Sequence, residues 1–244
     1  MYSCYVPPAR ISKDAIHIDD AERHHLLNVL RLKAGDSVHV FDGEGNSYTA
    51  ILRDTHLPAL YATIIKHQFH PHTPPHITLF QGLPKSDKMD LVVQKTTEIG
   101  VDGIVPTICH RSIPKRSETA QEKLQARWQR IANETAKQCR RSRLAKVHEA
   151  KEIERCFAQA TQFDLSILLW ENEEEQGIKE VLRRHKSAAS VGLYVGPEGG
   201  FSADETKTAI QCGIHPATLG PNILRTETAG IVGAAIVMYE LREV

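Results

Sequence analysis

The spacing of apolar positions changes character near residue 75. Before it, short alternating stretches dominate. Ser37-Val38-His39-Val40-Phe41 and Ser47-Tyr48-Thr49-Ala50-Ile51-Leu52 each alternate polar and apolar, and Asp42-Gly43-Glu44-Gly45-Asn46 between them supplies turn chemistry, so the pair predicts a hairpin. Leu60 to Ile65 predicts a third strand. One helix is expected, from Asp20 to Leu30, where Leu26, Leu27 and Leu30 recur at helical spacing. Short strands and a single helix over this length predict a small β-barrel. His70-Pro71-His72-Thr73-Pro74-Pro75 breaks regular structure and favours an extended linker. The domain boundary is placed there, giving domains of 1–72 and 73–244.

Beyond the linker, strands alternate with helices. Ile77–Gln81, Gly103–Ile108, Leu165–Trp170, Val191–Val195 and Ala217–Leu219 read as strands, several of them unbroken apolar runs suited to a sheet covered on both faces. Lys88–Gly100, Ala120 to about Arg141, Gly177–His185, Ala203–Cys212 and Thr226–Leu241 read as helices. The alternation implies an α/β domain with a largely parallel sheet, whose ligands belong beyond the carboxyl ends of the strands.

Composition narrows the class. The 244 residues are 41% hydrophobic and 25% charged, which is ample for a buried core and argues against disorder. No apolar run reaches the length of a membrane span, and the N-terminal residues lack the apolar stretch of a secretory signal, so a cytoplasmic protein is expected. Five cysteines without a C-x-x-C pair suggest neither a zinc ribbon nor a redox site. The histidines His24-His25 and His67, His70, His72 and His76 lack zincin spacing, and no metal is expected.

Net charge is zero, yet its distribution is uneven. Eleven Lys/Arg stand against three Glu between Arg111 and Lys146, and nine acids against three bases between Glu149 and Glu180. A local excess of that size is the footprint a polyanion requires, although for a charge run alone a solvated basic helix face is the favoured explanation.

Four segments could carry chemistry. Leu193-Tyr194-Val195-Gly196-Pro197-Glu198-Gly199-Gly200-Phe201-Ser202 runs from a strand into a glycine-rich turn, and Ser202 with Glu205 forms a capping-box signature. Its spacing is neither a dinucleotide fingerprint nor a Walker loop. Thr218-Leu219-Gly220-Pro221-Asn222-Ile223-Leu224-Arg225-Thr226-Glu227-Thr228-Ala229-Gly230 leads into a helix, with Thr226 as candidate cap and Glu227 complementing the helix dipole. Gly230 and Gly233 give that helix a face for close packing, a dimer contact or a cofactor-adjacent surface. Lys85-Ser86-Asp87-Lys88-Met89-Asp90 opens another helix, where Lys85 and Lys88 could follow phosphates. The fourth segment, Asn133 to Arg143, packs Arg140, Arg141 and Arg143 at a helix end, an arrangement suited to bidentate phosphate contacts.

In this order the motifs resemble one family, the bacterial 16S rRNA (uracil-N3)-methyltransferases of the SPOUT superfamily. The likeness spans essentially the whole chain, and V-G-P-E-G-G-F with L-G-x-x-I-L-R-x-E-T-A is its most diagnostic part. The resemblance implies a PUA-like β-barrel followed by an α/β domain with a knotted, mostly parallel sheet and helices on both faces. It implies a homodimer, S-adenosylmethionine as cofactor, and 3-methyluridine in the decoding region of the small subunit as product. The family's cofactor loops correspond here to Leu169, Trp170 and Glu171, to Gly196, Pro197, Glu198, Gly199 and Gly200, and to Leu219, Gly220, Ile223, Leu224, Arg225, Thr226 and Thr228.

The chemistry fits. A cofactor without phosphates accounts for glycine-rich turns that lack a Walker lysine, and its sulfonium would favour Glu198 or Glu171 as neighbour. Uridine N3 carries a proton at neutral pH, so Arg225 is expected to stabilise developing oxyanion charge, with Glu198 or Glu227 accepting the proton. Arg225 and Glu227 could instead simply pair with each other. The RNA track is expected along Arg111, Arg140, Arg141 and Arg143, with Lys85 and Lys88, and with Arg10, Arg23 and Arg31 of the barrel. Departures from the family pattern are Glu173-Glu174-Glu175 after Trp170, and Val147 where proline is common. A tRNA substrate, a non-catalytic assembly factor and an enzyme of small molecules are the rival readings.

Overall fold

A computed structural model describes residues 2–55, 59–112 and 117–242. Lys115 and Arg116 of the basic segment lie outside the described residues. The chain forms two compact units, one of residues 1–72 with 133–144, the other of 73–132 with 145–244.

In the first unit, β1 (Tyr2–Tyr5), β2 (Ala15–Ile18), β3 (Ser37–Phe41), β4 (Asn46–Leu52) and β5 (Leu60–Phe69) form one sheet in the order β1-β3-β4-β5-β2. The β3–β4 hairpin forms because Asp42 Oδ1 accepts from the backbone N–H groups of Glu44 and Asn46, closing the turn at 2.8 and 3.0 Å. Every strand contributes to a single core, including Cys4, Ile16, Val38, Val40, Ala50, Leu52, Leu60 and Ala62, so the sheet wraps around it. Strands β1 and β2 have four residues each, too short for alternation to show, and β1 pairs in parallel with β3 across an intervening helix. β5 runs four residues past Ile65 through a bulge opposite Thr49/Ala50. The expected helix from Asp20 to Leu30 is in two pieces, α1 (Asp20–His24), capped by the Asp19 carboxylate, and a π-helical turn (His25–Val29).

The segment 133–144 joins this unit through charge. Lys137 Nζ lies 2.6 Å from Glu22 and 2.7 Å from Glu134. Arg143 lies over the Phe69 ring at 5.8 Å and donates to the His70 carbonyl at 3.2 Å.

The second unit is built on a parallel sheet. Strands β6 (His76–Gly82), β7 (Gly103–Ile108), β8 (Lys146–Val147), β9 (Lys151–Glu152), β10 (Leu165–Leu169), β11 (Ser190–Val195) and β12 (His215–Ala217) run β12-β10-β11-β6-β7-β8, with β9 also beside β7. Helices α2 (Lys88–Ile99), α3 (Glu118–Cys139), α4 (Ile153–Phe157), α5 (Ile178–Arg184), α6 (Ala203–Gln211) and α7 (Thr226–Leu241) flank it. β8, β9 and α4 are too short to leave a periodic signal. β12 begins two residues earlier than its apolar pattern suggests, because His215 already pairs with Ile167, and it ends at Ala217, whose carbonyl accepts from Trp170 N. Leu219 is thereby released into the following loop.

Alternate strand residues enter two different cores. Ile77, Leu79, Ile167, Leu193 and Val195 pack with α2, α3, α5 and α7, whereas Phe80, Leu168 and Tyr194 pack with α4 and α6. The second face is aromatic. Phe80 and Tyr194 stack at 4.3 Å, and Tyr194 donates its hydroxyl to the Cys156 carbonyl at 3.2 Å. Gly230 and Gly233 are packing residues on the chain's own sheet, since a Cβ at Gly233 would approach Leu169 to 2.6 Å. Among the described residues, no helix is long and apolar enough to cross a membrane.

Ile167 occupies the middle of β10 and is completely buried. Ile167→Ala is expected to cost about 2–5 kcal/mol through lost transfer energy and a residual cavity, read as a lower urea midpoint at unchanged slope.

Candidate functional site

Adjacent strands β12, β10 and β11 point the same way, so the loops leaving their carboxyl ends converge. Together with the start of α7 they enclose a half-open cleft of about 1230 Å³. The cleft is lined by Leu169, Trp170 and Glu171 after β10, by Gly196 to Gly200 after β11, and by Leu219, Gly220, Ile223, Leu224, Arg225 and Thr226 after β12. Of the residues expected to hold a cofactor, Thr228 alone is not part of this lining.

Two glycines are required, one by backbone conformation and one by space. Gly200 has φ +67°, and a Cβ there would overlap the Glu171 carboxylate. Gly82, at the end of β6, lies so close to Pro197 N that a side chain would displace the turn. Ser202 caps α6 with the reciprocal Glu205 contact that the sequence suggests. Glu205 also accepts from His110 N at 2.7 Å, and Arg111 donates to the Gly199 carbonyl at 2.7 Å, so the loop after β7 is fastened to the glycine turn.

The charged groups divide into committed and uncommitted. Glu198 accepts from Lys85 N at 2.8 Å, and Lys88 Nζ lies 3.3 Å from it. Desolvation would raise the Glu198 pKa, but these hydrogen bonds and the Lys88 charge outweigh it and hold the carboxyl below its usual range. Lys88 Nζ is also 3.3 Å from Glu227, whose residue is 8% exposed. Desolvation works against the Lys88 ammonium, and its contacts with Glu198 and Glu227 override that and raise its pKa. By contrast, the Glu171 carboxylate and the Arg225 guanidinium form no hydrogen bond or ion pair among the described residues, although both line the cleft. Arg225 is the N-cap residue of α7, where the helix dipole offers a cation no stabilisation.

Two expectations change here. Thr226 is not the cap of α7: it is the first helical residue, and its hydroxyl donates to the Gly196 carbonyl at 2.5 Å while accepting from Gln81 Nε2 at 2.8 Å. Glu227 pairs with Lys88, not with Arg225. Gln81 and the cleft position of Lys88 were not foreseen. Gln81 sits in an apolar strand and signals only as a lone polar residue in an otherwise hydrophobic run.

The residues expected on RNA come from both units. Arg10, Arg23, Arg31, Arg140, Arg141 and Arg143 belong to the first unit, and Lys85, Lys88 and Arg111 to the second. Arg10 lies 3.7 Å from Asp19, and Arg23 donates to the Thr55 carbonyl at 3.5 Å. Arg31 and Arg140 are exposed, each with left-handed backbone (φ +56° and +58°), and Lys85 is exposed as well. Arg141 is half-buried, and Arg143 is engaged with Phe69 and His70. Burial pushes the Cys109 and Cys156 thiols up to about 12 and raises that of Cys4 further, so none of these three is poised as a thiolate.

Comparison with known proteins agrees with this architecture. Residues 71–238 match the family described as RNA methyltransferase domain, and residues 18–65 match the RNA methyltransferase PUA domain. Ribosomal RNA small subunit methyltransferase E of Synechocystis sp. is 32% identical over 96% of this chain and 76% of its own length. The Bacillus subtilis protein of that name is 27% identical over 91% and 89%. A crystal structure of ribosomal RNA small subunit methyltransferase E from Neisseria gonorrhoeae, bound to S-adenosyl methionine, superposes with a TM-score of 0.85 at 28% identity, covering 98% of this chain and 97% of that one. The α/β unit with its cleft at the strand ends, preceded by the PUA unit, places the chain in the RNA methyltransferase family.

Proposed function

We propose that the protein transfers a methyl group from S-adenosylmethionine to N3 of a uridine in the decoding region of small-subunit rRNA. It acts on the assembled subunit, as a cytoplasmic homodimer. The observation that carries this reading is the pair of uncommitted charges, Glu171 and Arg225, on the wall of one cleft.

The cleft suits the cofactor. Glycine backbone at Gly196, Gly199 and Gly200 leaves room for a ligand, and Leu219, Ile223 and Leu224 supply apolar surface for an adenine ring. Trp170 Nε1 is buried without a hydrogen-bond partner among the described residues. Glu171 is the available anion for a sulfonium or amino group, whereas Glu198 is already satisfied by Lys85 N and Lys88. When bound, the cofactor supplies an electrophilic methyl group on a positively charged sulfur.

The protein's own part is to bind, orient and move a proton. The N3–carbon bond forms as the sulfur–carbon bond breaks, and the N3 proton must leave to a base. One of the two carboxylates beside Lys88, Glu198 or Glu227, takes that role. Arg225, exposed and unpaired, stabilises charge developing on the uracil carbonyl oxygens. No cysteine adduct is required, because N3 becomes the nucleophile on losing its proton. Exposed Arg31, Arg140 and Lys85 remain available to rRNA phosphates. Leu91 and Tyr239, 42% and 84% exposed on α2 and α7, are apolar positions available to a second copy.

Incubation with labelled S-adenosylmethionine and small subunits from cells lacking this modification is expected to yield one 3-methyluridine in 16S rRNA, identified by mass spectrometry. Label in tRNA alone would redirect the substrate assignment. Arg225→Ala is expected to lower kcat by about 10²–10³-fold at saturating cofactor, with cofactor affinity changed little. Gly200→Ala forces a strained backbone against Glu171 and is expected to weaken cofactor binding at least tenfold in calorimetry, roughly the effect of losing one well-made contact.

A further inference from the structure

Resting on the proposed methyl transfer, we propose that Gln81 and Lys88 are positioning residues that clasp the two principal cofactor loops together, and that Lys88 serves the cleft instead of RNA. Both belong to the segment linking the end of β6 to the start of α2, and both join the same two pieces of chain. Lys88 Nζ stands 3.3 Å from Glu198 and 3.3 Å from Glu227. Gln81 Nε2 donates to Thr226 Oγ1 at 2.8 Å, and that hydroxyl donates to the Gly196 carbonyl at 2.5 Å. Residues 196–198 are thereby fixed to residues 226–227 twice.

The two clasps differ in kind. The Gln81 clasp is completely buried and neutral, and its direction is set: once the Thr226 hydroxyl donates to the Gly196 carbonyl, it can only accept from Gln81. Gln81 Oε1 is left without a hydrogen-bond partner among the described residues, a cost normally tolerated only where the other end of the amide is needed. Gly230 is shaped to the same end, since a Cβ there would come within 2.5 Å of Gln81 Oε1. The Lys88 clasp is ionic, with its side chain 32% exposed at the cleft. One ammonium between two carboxylates leaves a net negative charge beside the cleft, which suits a cationic methyl donor better than its neutral thioether product.

The test uses the full-length protein with Gln81→Met, Lys88→Met and the double variant, read first by hydrogen exchange without cofactor. Each single variant is expected to speed exchange of the amides at 199–201 about tenfold, and the double variant by more than the product of the two, because either clasp alone still restrains the loop. Cofactor affinity from calorimetry should follow the same order, with Lys88→Arg recovering most of the loss and Thr226→Ser retaining what Thr226→Val loses. Rescue by these conservative variants separates positioning from a general loss of folding. Affinity of Lys88→Met for small subunits should equal that of the parent at each salt concentration. Weaker subunit binding with unchanged exchange and cofactor affinity would return Lys88 to the RNA surface and overturn the proposal. Simple multiplication of the single effects would overturn the double clasp. Normal exchange effects in a protein that binds no cofactor would keep the clasp and instead overturn the methyltransferase reading.

Discussion

The hydroxyl of Thr226 is the interaction on which the site depends. It accepts one hydrogen bond from a side chain in the sheet and donates another to the backbone of a loop, and it does so from the first turn of the last helix. Three parts of the chain far apart in sequence therefore meet at one oxygen atom. A buried group in that position must be fully satisfied or it destabilises the protein, so the geometry tolerates little variation. Packing supports the arrangement from beneath. Gly230 and Gly233 let α7 lie close against Gln81, Leu169 and Leu193, which brings the helix start to the loop it must hold.

The parallel sheet provides the stiffness that such a site needs. Its two faces are packed differently, one with branched aliphatic side chains under four helices, the other with stacked aromatic rings under two. Loops at the strand ends inherit that rigidity while remaining open to solvent. Charge in the cleft is arranged by the same logic. Glu198 and Glu227 are both paired with Lys88 and so hold position, whereas Glu171 and Arg225 have spent nothing internally. Groups that remain unsatisfied at a cleft wall retain their full capacity to meet a charged ligand.

Much of this was legible in the sequence. Alternation located β3 and β4 within a residue, since each is long enough for its period to repeat, and a largely apolar run located β7. The capping box of α6 and the glycine turn before it could be read directly from residue identity. The cleft lining followed from the family resemblance, as its residues come from three loops that no local pattern connects. What remained hidden is short or nonlocal. β1, β2, β8 and β9 are two to four residues long, and their pairing is decided by distant strands. Lys88 resembles any solvated lysine at a helix start until Glu198 and Glu227 are seen on either side of it. Arg143 resembles a phosphate ligand until Phe69 and the His70 carbonyl are found against it.

The discontinuity of the first unit bears on how the protein is made. Residues 133–144 complete a unit whose other members end at residue 72. During synthesis, the early strands emerge with Glu22 lacking its Lys137 partner and with Phe69 not yet covered by Arg143. Domains usually close one after another as they leave the ribosome. Here the amino-terminal one stays unfinished until β6, α2, β7 and most of α3 have been translated. Between residues 72 and 144 the nascent chain thus carries a sheet that has all five of its strands but lacks the segment that packs on it.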